Sequence, residues 1–154
     1  MKFIIPIIAL SSIFFIVSCG GGGGSGGSHD GGGDGVATLT WTKPTENTDD
    51  SPLTDLEGFN IYYGSEADYL DNASSFQPNS LSVTNTAETD SALISCSNTG
   101  DGGMQCTITG LNDNENWHFA VTAVNSLRIE SAPSEVVCKQ FASSSCIGDI
   151  SGFL

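Results

Sequence analysis

Residues 20–35 contain eleven glycines among sixteen positions, interrupted only by Ser25, Ser28, His29, Asp30 and Asp34. Glycine loses more backbone freedom on ordering than any other residue, and nothing in this stretch is apolar enough to offset that loss by burial. The segment cannot join a packed core, so it divides the chain into an N-terminal piece ending at Cys19 and a C-terminal piece beginning at Val36. A flexible coil of this length has a root-mean-square span of about 20–24 Å and stretches to roughly 55 Å. The run GGGDG within it is one poor copy of a calcium-binding nonapeptide, a motif that needs several stacked copies with periodic apolar residues. Residues 19–35 therefore read as a linker.

The piece before the linker reads as a processing segment. Lys2 supplies a positive start, and Phe3 to Val17 is a mostly apolar run broken by Pro6 and by Ser11-Ser12. A transmembrane helix needs about 20 apolar residues, more than this run offers. The run closes on Ile16-Val17-Ser18-Cys19, which resembles the lipobox of bacterial lipoproteins. The resemblance implies that residues 1–18 are a signal peptide cut away after Ser18. It also implies that Cys19 takes a diacylglyceryl group on its thiol and an acyl chain such as palmitate on its new amine. Several chains hold a protein on a membrane stably, whereas one does so only marginally. Gly20 occupies the position where an aspartate commonly retains such proteins in the inner membrane. The expected location is the cell envelope, at the outer membrane if the host has two.

Once Lys2 is removed, Lys43, Arg128 and Lys139 stand against 18 acidic residues, a net charge of −15. Nucleic acid is excluded as a partner, because binding it requires Lys and Arg to replace counterions.

From Val36 the pattern is period two. Ala37, Leu39 and Trp41 share one face of a strand, with Thr38, Thr40 and Thr42 on the other, and Lys43-Pro44 ends it. Phe59, Ile61 and Tyr63 alternate with Asn60 and Tyr62 in a second strand stopped by Gly64. In a third, Trp117, Phe119, Val121 and Ala123 alternate with His118, Ala120 and Thr122. No helical stripe competes. Short strands punctuated by glycine and proline predict an all-β fold, a β-sandwich.

Five pieces in order carry a more specific likeness: Leu39–Pro44, Gly58–Gly64, Thr107–Leu111, Trp117–Val124 and Glu130–Glu135. Together they resemble a fibronectin type III domain over residues 36–138, an immunoglobulin-like sandwich. In that family the pieces correspond to strands B, C, E, F and the start of G. The resemblance makes Trp41 the tryptophan between the sheets, and makes Leu111 with the aromatic six residues on the tyrosine corner. Three departures stand out. The corner holds Trp117, whose indole N–H replaces a hydroxyl as donor. The linker runs straight into strand B and leaves almost no room for strand A. Residues 65–106 are long and polar, so an inserted hairpin is expected there.

With Cys19 acylated, Cys96, Cys106, Cys138 and Cys146 remain for an oxidising compartment. Three pairings are open. The turn Asn98-Thr99-Gly100-Asp101-Gly102-Gly103 favours Cys96–Cys106, and hence Cys138–Cys146. Zinc is the other use of four cysteines, but the CxxC spacing is absent, so no metal is expected. No catalytic residues are expected either. His118 sits on the strand face turned from the core, reads as a surface histidine, and has no nucleophile-elbow sequence to serve. Glu46, Asp49, Asp50, Asp55 and Glu57 lack the EF-hand pattern and read as solvated loop carboxylates, with calcium left open. Tyr62, Tyr63 and Tyr69 offer a sugar-stacking platform, although Tyr63 falls on the core face. In residues 139–154 Phe141, Ile147, Ile150, Phe153 and Leu154 are odd for a free tail, so docking beside strand B or over the open end of the core is expected. The chain thus reads as a non-catalytic interaction or spacer module without a cofactor. Its membrane contact is the lipid on Cys19, and its partner is an envelope or extracellular protein or glycan. The alternative is a carbohydrate-binding accessory protein at the cell surface.

Overall fold

The computed structural model describes residues 35–67, 77–84, 89–90, 93–142 and 145–147. The signal segment, Cys19, most of the linker, Tyr69 and the last apolar residues Ile150, Phe153 and Leu154 lie outside the described residues.

Eight strands follow one another: β1 (Gly35–Thr42), β2 (Leu56–Ser65), β3 (Asn79–Thr84), β4 (Thr89–Asp90), β5 (Ile94–Asn98), β6 (Gly103–Leu111), β7 (Trp117–Asn125) and β8 (Val137–Lys139). They form two antiparallel sheets, ordered β1-β6-β5-β4 and β3-β2-β7-β8. These are the B-E-D and C′-C-F-G neighbourhoods of an immunoglobulin-like sandwich. The core lies between the sheets. Ala37, Leu39 and Trp41 enter it from β1, Phe59 and Ile61 from β2, Met104 and Ile108 from β6, and Phe119, Val121 and Ala123 from β7. The alternation of side chains along a strand commits each of these sets to one face. The Trp41 and Phe59 rings meet edge to face, with centroids 5.3 Å apart, and tie the sheets together.

The first sheet is stapled across its middle. Cys96 on β5 lies opposite Cys106 on β6, and the two form a disulfide. The turn that sets this register runs from Thr99 to Gly103. Thr99 N–H donates to Gly103 O and Gly102 N–H to Thr99 O, while Gly102 takes a φ of 87°, which suits only glycine well. β1 is an edge strand, and among the described residues no strand takes the position of strand A. It starts at Gly35, one residue earlier than the alternation marks, and Gly35 pairs with Leu111.

Among the described residues of 65–106, β3 joins the second sheet beside β2, whereas β4 and β5 pair antiparallel as a short hairpin that extends the first sheet beyond β6. One stretch differs from the sequence expectation. Residues 130–135, read as the start of strand G, run along β7 without being a regular strand. Pro133 has no donor for a ladder, and two serines complete the pairing. Ser131 and Ser134 donate their N–H groups to Ala123 O and Val121 O, and their hydroxyl oxygens accept the N–H groups of Ala123 and Val121. Regular pairing resumes only at β8.

Candidate functional site

The second sheet gathers the polar groups of the domain on its outer face. Because side chains alternate, Asn60, Tyr62 and Gly64 face outward from β2, while His118, Ala120 and Thr122 do so from β7; Glu66, just past the end of β2, meets His118 on the same side. Cys138 does the same from β8, since it is paired with His118.

Toward one end of this face Glu130 collects three donors. Asn60 Nδ2 reaches its Oε1 at 2.6 Å, and the Tyr62 and Thr122 hydroxyls reach its Oε2 at 2.8 and 2.9 Å. Ser82 on β3 extends the chain by donating to Asn60 Oδ1 at 2.6 Å. Partial burial, then the Glu130 hydrogen bond and charge, raise the Tyr62 phenol above its ordinary pKa. A shallow groove of about 260 Å³ runs past Asn60, Ser82, Glu130, Arg128 and Glu57. Tyr62 belongs to this outer surface, whereas Tyr63 turns inward to stack on Phe119. The two tyrosines therefore do not form one platform.

The turn from Asn125 to Glu130 borders the groove. Asn125 holds it: its Oδ1 accepts Leu127 N–H at 3.1 Å and Ile129 N–H at 2.9 Å, and its backbone exchanges bonds with Arg128 and Ile129. Arg128 takes a left-handed φ of 62° there. The result is a fixed loop that leaves Leu127 73% exposed and the Arg128 side chain 79% exposed. Arg128 also reaches Glu57 at 3.1 Å.

At the other end of the face the structure corrects the reading of His118. It is not a surface histidine but 2% exposed. Its neighbours in the sheet are Gly64, which adds no side chain, and Cys138. Glu66, at the end of β2, faces it with Oε2 3.6 Å from His118 Nε2. Cys138 is disulfide-bonded to Cys146, and Ile147 N–H donates to Glu66 Oε1 at 3.1 Å. Burial lowers the His118 pKa, opposed in part by the charge and hydrogen bonding of Glu66. Among the described residues, Glu66, His118 and Cys138 form a convergent trio of metal-ligating side chains, their ligand atoms within 4.8 Å of one another.

The described part of the C-terminal segment lies here, against the second sheet and away from β1. Buried Asn116 accepts Phe141 N–H at 3.2 Å and Ala142 N–H at 3.1 Å on its Oδ1, and Phe141 packs against the core. Nearby, the Trp117 indole donates to Asn112 O at 3.0 Å. A tryptophan thus makes the backbone bond that a tyrosine hydroxyl makes at such a corner.

The acidic loop does not converge. Asp49 accepts from Ser51, which lowers its pKa, Asp55 gives its carbonyl to Ser126 N–H, and Glu57 pairs with Arg128. Sequence reasoning missed Glu66, Asn116 and Glu130. Glu66 lies just past the end of β2, where strand alternation no longer assigns a face.

No protein-family model and no curated protein matches this sequence. Solved structures do. The third fibronectin III domain of the human KIAA0343 protein is similar at a TM-score of 0.53 and 14% identity, over 94% of this chain and 90% of that one. Astrotactin-2, described as a conserved vertebrate-specific and perforin-like membrane protein involved in neuronal development, is similar at a TM-score of 0.55 and 12% identity. That match covers 74% of this chain, which spans only 20% of the other's length. At these identities the likeness is one of fold: the domain is a fibronectin type III-like sandwich.

Proposed function

We propose that this chain is a lipid-anchored cell-envelope protein that presents its fibronectin type III-like sandwich as a non-catalytic interaction module. The anchor rests on the Ile16-Val17-Ser18-Cys19 run, and the glycine linker gives the domain reach from the membrane. The absence of an aspartate after Cys19 favours the outer membrane of a double-membraned host. The fold supports interaction or spacing without naming a partner.

One observation carries interaction over mere spacing: the Asn125–Glu130 turn. Its hydrogen bonds fix the backbone that presents Leu127 and Arg128 outward, so no backbone ordering is left to oppose binding. Arg128 is also one of three cations on a strongly acidic mature chain. Its expected counterpart is an envelope or extracellular protein with an apolar pocket rimmed by carboxylates.

Two experiments test this reading. Mass spectrometry of the membrane-associated protein should find Cys19 acylated, and Cys19→Ser should release the protein or mis-sort it; a free Cys19 thiol in membrane-associated material refutes the anchor. Pull-down of envelope proteins with the lipidated chain should recover a partner that Leu127→Ser with Arg128→Glu loses. Equal recovery by both chains refutes the role of the turn. A second reading, glycan binding, is favoured by the half-exposed Tyr62 beside the Asn60–Glu130 groove, and a glycan array separates it from the first.

A further inference from the structure

Strand pairing assembles three different ligand types on one face of three adjacent strands. Glu66 follows β2, His118 is on β7, and Cys138 is on β8 opposite His118. We propose that opening the Cys138–Cys146 disulfide turns this trio into a zinc site. Its protein ligands are His118 Nε2, a Glu66 carboxylate oxygen and the Cys138 thiolate.

The chemistry of the set selects the ion. Calcium and magnesium take oxygen ligands, whereas imidazole, thiolate and one carboxylate together suit zinc. Three protein ligands leave the fourth position of the tetrahedron to a water molecule. The charges also balance: one thiolate and one carboxylate neutralise a divalent ion, so the filled site places no net charge in a buried position.

The distances are close to those required. With Zn–N and Zn–O near 2.0–2.1 Å and Zn–S near 2.3 Å, tetrahedral ligand atoms stand about 3.3–3.6 Å apart. His118 Nε2 and Glu66 Oε2 are already 3.6 Å apart, and all three ligand atoms fall within 4.8 Å of one another. Closing the set asks for a movement of about 1 Å at most, the difference between the 4.8 Å limit and that spacing.

The same disulfide blocks the site. It occupies Cys138 Sγ directly, whereas the Ile147 N–H held next to Cys146 donates to Glu66 Oε1 and not to the Oε2 that faces His118. Cys138 does not depend on that bond for its place. β8 stays paired with β7, and Asn116 holds the backbone of Phe141 and Ala142. Opening the bond therefore frees the thiol while the ligand-bearing strands keep their register.

Opening is a two-electron reduction. A dithiol reductant supplies two electrons and two protons and becomes a disulfide, while the Cys138–Cys146 bond becomes two thiols. Zinc then displaces the Cys138 thiol proton, which leaves to solvent.

The test uses the full-length chain in a Cys19→Ser background, so that no other single thiol competes, with zinc and cobalt ions alone as probes. With both disulfides intact this chain should retain no zinc. Adding Cys146→Ser frees Cys138 without reductant and should yield one zinc per chain. Cobalt should then give a thiolate-to-cobalt charge-transfer band. In that background, His118→Ala and Glu66→Gln should each weaken zinc by more than about tenfold, since even outer-shell changes cost that much. Cys138→Ser should abolish the cobalt band. Equal zinc binding by the disulfide-intact chain overturns the proposal. So does no binding by the Cys146→Ser chain, or unchanged affinity after His118→Ala. Loss of the folded circular-dichroism signal in Cys146→Ser overturns it as well, because the ligands must stay in register once the bond is open.

Discussion

Replacing Trp117 by phenylalanine isolates the corner that closes the loop between β6 and β7. The indole donates to Asn112 O at 3.0 Å, and its ring centroid lies 6.0 Å from that of Tyr63. Trp117→Phe keeps an aromatic ring but removes the donor and the rest of the second ring. Asn112 O also accepts from Glu115 N–H at 3.4 Å, so the carbonyl is not stripped of partners. The lost hydrogen bond then costs about 1 kcal/mol. Two ring carbons at about 0.8 kcal/mol each, halved for a half-buried side chain, add about 0.8 kcal/mol. The sum, about 2 kcal/mol, lowers the melting temperature by about 8 °C in a domain of this size. Trp117→Tyr returns a donor and should recover about half of the loss. Thermal melts followed by near-ultraviolet circular dichroism, with both disulfides intact, measure all three chains. A phenylalanine variant melting within about 2 °C of the parent refutes the reasoning. Equal losses in the two variants would assign the whole effect to packing and none to the donor.

The staple in the first sheet should be as visible. Removing it with Cys96→Ala and Cys106→Ala together restores closure entropy to the unfolded chain, about 2.7 kcal/mol for a sequence separation of 10, before any cavity cost. Urea titration measures the difference, and a loss under about 1 kcal/mol contradicts it. His118 supplies a pH dependence. Burial holds its folded pKa below 6.5, so as pH falls the unfolded chain takes up the proton first. Its contribution to stability is therefore complete above about pH 6.5 and declines as pH falls toward the folded value. The melting temperature should drop between pH 7 and pH 5.5, less so in His118→Gln, and a flat profile in the parent contradicts the buried neutral histidine.

The amino-acid sequence determined by itself whatever depends on near neighbours along the chain. Eleven glycines among the sixteen residues 20–35 set that stretch apart in composition from the alternating patterns that follow it. The alternation Ala37-Leu39-Trp41, Phe59-Ile61 and Phe119-Val121-Ala123 assigns an inner face to each strand, because side chains in a strand alternate regardless of what they pack against. The turn between Cys96 and Cys106 is local too, and it brings those residues opposite one another. Tertiary structure alone decided what happens on the outer faces. A strand pattern separates the two faces but does not say whether the second one meets water. His118 looked solvent-facing for that reason. It is buried because Cys138, 20 residues later in the chain, pairs opposite it, because the disulfide folds the C-terminal segment back, and because Glu66 arrives from β2. Asn116 and Glu130 were illegible on the same grounds, since their roles exist only once Phe141 and Tyr62 have been brought to them from distant parts of the chain. Local sequence sets backbone geometry and the sidedness of each strand, whereas the burial of a polar face depends on which remote segments cover it. That depends on strand order and register, which no single strand encodes.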